Sequence, residues 1–353
     1  MRILFSESES YYRRLGLVNM SGFTYFFDGM EHYKKSEEWL FDNFDVFVCF
    51  IYTSPVNLYL TKKFNKLNIK TILVMDGVYD YSNSIKNKAS RSIDLELYRY
   101  VPQTVFLVVG ALPLYFSDNA RCINYMPKMI KNGDSTPTGQ SGFSKVLLTT
   151  ANTAYFELDE LSSLVILFRL VLVELNRRSI AYDVRIYDDT LYSSISDLLN
   201  KNTDNILSGN FEEIIADYSN IITTPSSIAI TSMIHKRAVA LLQYRDSPPS
   251  FFTGWMFSSQ ETIAMGLDSF ISLDCSRMLL QERLVSKEFS DMTLGEAIST
   301  ATNVEYEITP PKSDFLEDSL MYKSMLDSVF NFNIEYLIRR HIVKLKRIVS
   351  FFK

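Results

Sequence analysis

The 353-residue sequence contains 47% hydrophobic, 14% aromatic and 22% charged residues, and its formal net charge is −5. This composition is typical of a folded, aromatic-rich globular protein with room for two domains, and it excludes disordered and collagen-like chains. The acidic balance argues against nucleic acid as the main partner, because sustained phosphate binding requires a basic surface.

The sequence carries no pattern for a metal site, a disulfide framework or a membrane span. The three cysteines, Cys49, Cys122 and Cys275, are far apart and lack CxxC spacing, which favours a reducing compartment. No HExxH, GxSxG, Walker or GxGxxG pattern is present. No segment resembles a signal peptide or reaches the ~20 apolar residues of a transmembrane helix. We therefore expect a cytoplasmic protein without a metal or other cofactor.

The first half alternates short apolar strands with amphipathic segments. The predicted strands are 1–5, 45–52, 70–75 and 105–110. With a helix over 56–67, this alternation predicts a parallel sheet covered by helices on both faces. The carboxyl ends of such strands meet at one edge, where open α/β sheets bind ligands. The residues expected there are Ser6, Glu7, Asp76, Gly77 and Tyr79. Asp76-Gly77 is alternatively a plain turn.

A composition break separates this half from a second one. Gly, Pro, Ser and Thr accumulate in 131–144, which predicts a linker at 136–144 between domains 1–135 and 145–300. The elements predicted after it are strand 146–148, helix 158–177, strand 182–186 and helix 210–216. Thr150 and Asn152 follow the first of these strands. Two α/β halves of similar size, each with polar residues at strand ends, are typical of a two-domain enzyme with a cleft.

The stretch 217–242 combines a strand, a hydroxyl-rich turn, a helix and a second strand. The apolar run stops at TTPSS, and a helix is predicted to begin near Ser226 or Ser227. The first N–H groups of such a helix are unpaired and face the sheet edge with the positive end of the helix dipole. Together with the serine hydroxyls they form a seat for phosphate. The alternative is that the two serines are only helix caps.

The C-terminal part, 301–353, is predicted to be helical and to end in a basic amphipathic tail, 338–353 (IRRHIVKLKRIVSFFK). One face of this tail is apolar and the rest is largely Lys and Arg, a pattern that binds anionic membrane surfaces. The alternative is a helix that packs on its own domain and exposes its charges to water. The first alternative predicts peripheral attachment to the inner face of the membrane.

The pairing of Met75-Asp76-Gly77 in one half with Pro225-Ser226-Ser227 in the other resembles bacterial sialyltransferases and polysialyltransferases of the GT-B architecture. Those enzymes share an acidic-acidic-Gly motif, a His-Pro motif and a Ser-Ser motif. The run 217–227 also resembles the teichoic-acid glycerophosphotransferase pattern, in which an Asp and a double Ser flank an apolar strand. The resemblance implies a GT-B fold of two Rossmann-like domains facing a cleft, with C-terminal helices.

By this resemblance Asp76 is the general base and Thr224, Ser226 and Ser227 hold the donor phosphate. Glycosyl transfer requires a base near the attacking hydroxyl and fixed donors where charge develops on the leaving phosphate. Met75 replaces the first acid, and Val184 to Asp188 occupies the place of the His-Pro motif. Arg185 or Tyr187 would then assist the leaving group.

The implied function is metal-independent transfer of a sugar, such as a CMP-activated sialic acid, to a glycan or glycolipid in bacterial capsule or lipopolysaccharide synthesis. Three groups of residues are predicted for this site. The catalytic base is Asp76. The donor-binding residues are Thr150, Asn152, Arg185, Tyr187, Thr224, Ser226 and Ser227. The acceptor-binding residues are Ser6, Glu7, Gly77 and Tyr79. Two alternatives stay open: a phosphotransferase that uses a CDP-polyol, and a non-catalytic glycosyltransferase-like scaffold.

Overall fold

The computed structural model describes residues 1–50, 54–87, 91, 96–98, 101–111, 121–131, 145–201 and 203–303. The predicted linker, 136–144, and the predicted basic tail, 338–353, lie outside these residues, so the linker and the membrane contact stay predictions. Within them the chain forms two lobes, each built on a parallel sheet.

The first lobe contains a six-stranded sheet in the order β2-β1-β3-β4-β5-β6. Its strands are β1 (Arg2–Phe5), β2 (Thr24–Phe26), β3 (Val46–Cys49), β4 (Lys70–Val74), β5 (Val105–Val108) and β6 (Arg121–Asn124). Its helices are α1 (Glu9–Leu15), α2 (Glu37–Asn43), α3 (Pro55–Lys66), α4 (Tyr81–Lys86) and α5 (Lys128–Lys131), with a 3-10 turn at Gly29–His32. The central strands are apolar and buried throughout because helices cover both faces of the sheet.

The second lobe contains a five-stranded sheet in the order β11-β10-β9-β7-β8. Its strands are β7 (Val146–Thr149), β8 (Tyr182–Arg185), β9 (Asn220–Thr223), β10 (Ala238–Leu242) and β11 (Trp255–Phe257). Its helices are α6 (Leu158–Arg177), α7 (Asp189–Ile195), α8 (Phe211–Ile214), α9 (Ser227–Ile234), α10 (Gln260–Ile271) and α11 (Cys275–Glu288), with 3-10 turns at Ser196–Leu198 and Ile215–Asp217.

The predicted α/β architecture with two parallel sheets is confirmed. Helix α6 and strand β10 have the predicted bounds, because a long apolar stripe and a continuous apolar run are strong local signals. Three edge strands, β2, β6 and β11, were not predicted. Each has only three or four residues, too few for a period to be recognised.

The chain returns to the first lobe near its described end. Helix α12 (Leu294–Asn303) contributes its buried side chains to the cluster that also contains Ile3 and Val46. The Lys70 Nζ donates to the carbonyls of Ala301 and Thr302 at 2.8 and 3.0 Å. The segment assigned to the second domain, 145–300, therefore includes residues that pack on the first sheet.

Candidate functional site

Both sheets reverse their strand order at a point where polar residues follow the strands. In the first sheet the reversal lies between β1 and β3, and in the second it lies between β7 and β9. Loops from neighbouring strands diverge at such a point and leave a crevice at the carboxyl edge, where α/β proteins bind ligands. Ser6 and Glu7 follow β1, Thr150 and Asn152 follow β7, and Thr224 follows β9.

Glu7 is held by three side chains at the edge of the first sheet. Asn57, at the start of α3, donates to Glu7 Oε1 at 2.8 Å, while the hydroxyls of Ser6 and Tyr12 donate to Oε2. Burial raises the pKa of Glu7, and these three hydrogen bonds offset part of that shift. Neither Tyr12 nor Asn57 was identified from the sequence, because their proximity to Glu7 depends on the packing of two helices.

Asp76 lies two residues beyond β4 in a partly buried position. The Tyr125 hydroxyl donates to the carbonyl of Met75 at 2.5 Å and so holds the end of the strand. Burial raises the pKa of Asp76; backbone hydrogen bonding, the Tyr11 hydroxyl and the charge of Arg14 lower it in part. A carboxylate with a raised pKa accepts protons more readily, which suits a general base.

The second lobe presents the start of helix α9. Ser226 is its cap residue, and the Ser226 Oγ is buried without a hydrogen bond to any of the described residues. The Thr224 hydroxyl accepts from the Ala151 N–H at 2.8 Å and ties together the ends of β9 and β7. A helix start presents the positive end of its dipole to an anion, and the unsatisfied Ser226 hydroxyl lies at this one.

The two halves of the predicted site meet. The Ser227 Oγ lies 3.3 Å from the Val78 N, which donates to it across the boundary between the lobes. A Cβ atom at Gly77 would lie 3.0 Å from the same oxygen, so glycine permits this close approach. The segment 76–78 of the first lobe therefore lies against the start of α9.

Three predicted binding residues form hydrogen bonds within their own lobes. The Arg185 guanidinium donates to the carbonyls of Ile206, Ser208 and Gly209 at 2.6, 3.2 and 2.9 Å. These bonds commit it to a loop of its own lobe, and it lies 5.2 Å from the centre of the Tyr187 ring.

The Tyr187 hydroxyl donates to the Leu207 carbonyl at 3.2 Å and so supports the same loop. Tyr79 is a core residue whose hydroxyl lies 2.9 Å from the Ser84 Oγ. The assignment of Arg185 and Tyr187 to the leaving phosphate, and of Tyr79 to the acceptor, stays a prediction, and in this structure their polar groups bond to their own lobe. Local position at a strand end does not reveal which direction a side chain takes.

The remaining predicted residues differ in accessibility. Thr150 is buried and Asn152 is exposed, so only the latter faces solvent beside the crevice. Within the described ranges no three His, Cys, Asp or Glu side chains are grouped so that they could hold a metal ion. No helix in the same ranges is long and apolar enough to cross a membrane.

The burial of Asp76 predicts a gain in stability when its charge is removed. Below the ordinary Asp pKa of ~3.9 the carboxyl is protonated in both states, so Asp76→Asn and wild type should unfold alike. As pH rises towards the raised folded pKa, the unfolded chain ionises first and wild type loses stability. Above that window we expect the variant to melt about 1–3 °C higher by calorimetry. A lower melting temperature near neutral pH would contradict this account.

Comparison with solved structures identifies the class of fold. A glycosyltransferase from Rickettsia africae is 12% identical with a TM-score of 0.50, over 92% of this chain and 90% of its own. The S. aureus MnaA-UDP co-structure is 8% identical with a TM-score of 0.52, over 86% and 94%. A protein provisionally named a UDP-N-acetylglucosamine 2-epimerase, from Listeria monocytogenes, is 8% identical with a TM-score of 0.51, over 86% and 93%.

These similarities show that the chain has the two-lobed GT-B architecture, which glycosyltransferases share with UDP-N-acetylglucosamine 2-epimerases. No protein-family model matches the sequence, and no curated protein matches it either. At these identities the likeness establishes the fold alone.

Proposed function

We propose that this protein is a glycosyltransferase that uses a nucleotide-sugar donor, with Asp76 as the general base and the start of helix α9 as the seat of the donor phosphates. The observation that carries the proposal is the contact between the two motifs. The Ser227 Oγ accepts from the Val78 N–H at 3.3 Å, so the start of helix α9 lies against the segment that follows Asp76.

The reaction follows from that arrangement. Asp76 takes the proton of an acceptor hydroxyl, whose oxygen attacks the anomeric carbon of the donor sugar. The bond from that carbon to the phosphate oxygen breaks, and the phosphate oxygen keeps the electron pair. The growing negative charge faces the positive end of the α9 dipole and the hydroxyls of Ser226 and Ser227. Glu7, fixed by Asn57, Ser6 and Tyr12, is proposed to orient the acceptor.

We propose a UDP-linked donor instead of the CMP-linked sugar acid expected from the motifs. The sialyltransferase resemblance includes a His-Pro motif that this chain lacks, and Arg185, its suggested substitute, is bound to loop carbonyls. Two solved structures with the same architecture carry UDP or a UDP-sugar in their names, which supports this choice. A diphosphate also places more negative charge at the α9 terminus, where it interacts favourably with the helix dipole.

Calorimetric titration of the purified protein with UDP, CDP, GDP and CMP, without and with Mg²⁺, tests the donor class. We expect UDP to bind tightest and Mg²⁺ to have little effect, since the described residues supply no acidic metal cluster. Preference for CMP would restore the sugar-acid donor, and preference for CDP would favour polyol phosphate transfer. Absence of binding to every nucleotide would refute a nucleotide-dependent enzyme and favour the non-catalytic scaffold.

Epimerisation of a UDP-sugar is the second candidate, because a structure with the same architecture is provisionally named a UDP-N-acetylglucosamine 2-epimerase and aligns with 86% of this chain and 93% of its own. The two reactions differ in their need for an acceptor. Incubation with UDP-N-acetylglucosamine alone, followed by NMR, separates them. A change in configuration at the sugar without any acceptor would establish the epimerase and exclude our first proposal.

A further inference from the structure

Arg245, which follows β10, is a buried cation that joins the two lobes. Its Nη1 donates to the Asp80 Oδ2 of the first lobe at 2.7 Å, and its Nη2 donates to the Ala154 carbonyl of its own lobe at 3.0 Å. Its Nε lies 3.6 Å from the Glu160 Oε2. The Arg245 side chain is only 5% exposed and that of Glu160 only 6%.

Further ion pairs extend this contact between the lobes. Lys86, at the end of α4, lies 2.7 Å from Glu160 and 2.8 Å from Glu157 across the boundary. Arg91 lies 2.7 Å from the same Glu157. Each lobe contributes charges of both signs, and the pairs cross from one lobe to the other. We call these residues, with Asp80 and Arg245, the interlobe charge network.

The network reaches the loop that carries the proposed base. Asp80 ends the loop 76–80 and caps helix α4 by accepting from the Asn83 N–H at 3.3 Å. Two residues earlier, the Val78 N–H donates to Ser227 of the second lobe. The loop that begins with Asp76 is thus attached to the second lobe at two points.

We propose that Arg245 is a positioning residue that holds the loop 76–80 through Asp80. The loop in turn fixes the carboxylate of Asp76 relative to the proposed phosphate site at Ser226 and Ser227, the start of α9. The proposal rests on the proposed function above. Arginine suits the task because its planar group binds two oxygens at once and lies against aromatic rings. Here those rings are Phe156 and Tyr244, whose centres lie 5.0 and 5.1 Å from the guanidinium carbon.

Three variants test this role. Arg245→Met removes the charge and keeps a long side chain, Arg245→Lys restores the charge, and Asp80→Asn removes the ion pair while its amide oxygen still caps α4. A lost contact that shifts the base by a fraction of an ångström should lower kcat about 10- to 100-fold in Arg245→Met and Asp80→Asn. KM for the nucleotide sugar should change less than about threefold, because α9 is intact. Arg245→Lys should recover part of kcat.

Hydrogen exchange followed by mass spectrometry tests the same proposal without any activity. Amides of the loop 76–80 should exchange faster in Arg245→Met and Asp80→Asn, while those of β9 and β10 keep their protection. Glu37→Gln is the matched control, because it removes an ion pair with Lys66 inside the first lobe and should change neither exchange at the loop nor kcat. If Arg245→Met does not fold, the exchange of the loop in Asp80→Asn tests the proposal by itself.

Unchanged exchange of the loop in a folded variant would overturn the proposal, as would a rise in KM without a fall in kcat. If wild type itself transfers no sugar, the proposed function fails, and the exchange experiment still decides whether Arg245 holds the loop. If wild type is inactive but the loop 76–80 exchanges faster in Arg245→Met and Asp80→Asn than in wild type, Arg245 still positions the loop. Only the proposed reaction is then rejected.

Discussion

Replacing Asp76 by asparagine is expected to reduce sugar transfer about 10²- to 10⁴-fold, the usual contribution of a positioned general base. The amide keeps the size of the carboxyl but cannot take the proton of the acceptor hydroxyl. Binding of the nucleotide should be unchanged, because the anion seat belongs to the other lobe. The loss should therefore fall on kcat.

The pH dependence distinguishes a base from a merely structural carboxylate. Burial raises the pKa of Asp76, and the base acts only when it is ionised, so kcat/KM of wild type should fall as the pH is lowered through that raised value. This acid limb should lie above the ordinary Asp pKa of ~3.9 and should be missing from the residual activity of Asp76→Asn.

Asp197→Asn is the control for this variant, because Asp197 forms an exposed ion pair with Arg169. It should transfer at the wild-type rate. Wild-type turnover in Asp76→Asn would refute the assignment and make Glu7 the next carboxylate to test, since it lies at the same sheet edge and its pKa is also raised by burial.

The double substitution Ser226→Ala, Ser227→Ala is expected to weaken nucleotide binding about 10²- to 10⁴-fold. Each hydroxyl that bonds to a charged phosphate contributes roughly 1.5–3 kcal/mol, and the helix N–H groups that remain keep part of the affinity. Ser227→Ala also removes the acceptor of the Val78 N–H, so kcat should fall as well. Titration calorimetry gives the first effect and steady-state kinetics the second.

Ser232→Ala is the matched control in the same helix, because the Ser232 hydroxyl bonds to the Ile228 carbonyl at 2.8 Å and lies away from the helix start. It should bind nucleotide like wild type. Equal affinity in the double variant and in wild type would mean that the two serines only cap the helix, the alternative that the sequence left open.

Several features of the site depend on local sequence and were predictable. The apolar run of β4 stops at Asp76-Gly77, and the apolar run of β9 stops before Ser226 and Ser227. Strand-forming runs and their abrupt ends are read from neighbouring residues. The alternation of strands and helices in turn requires parallel sheets, whose carboxyl ends share one edge. The positions of Asp76 and of the Ser226-Ser227 turn along the chain followed from these rules.

Contacts between distant segments were decided by the tertiary structure alone. Arg245 meets Asp80 over 165 positions of sequence, and Val78 meets Ser227 over 149. The same holds for the commitment of Arg185 to the carbonyls of 206–209 and for the return of α12 to the first sheet. Local patterns determine which elements form and where they end. They do not determine how two lobes close on each other, because that depends on the packing of whole surfaces and on buried charges that find partners only after the chain has folded.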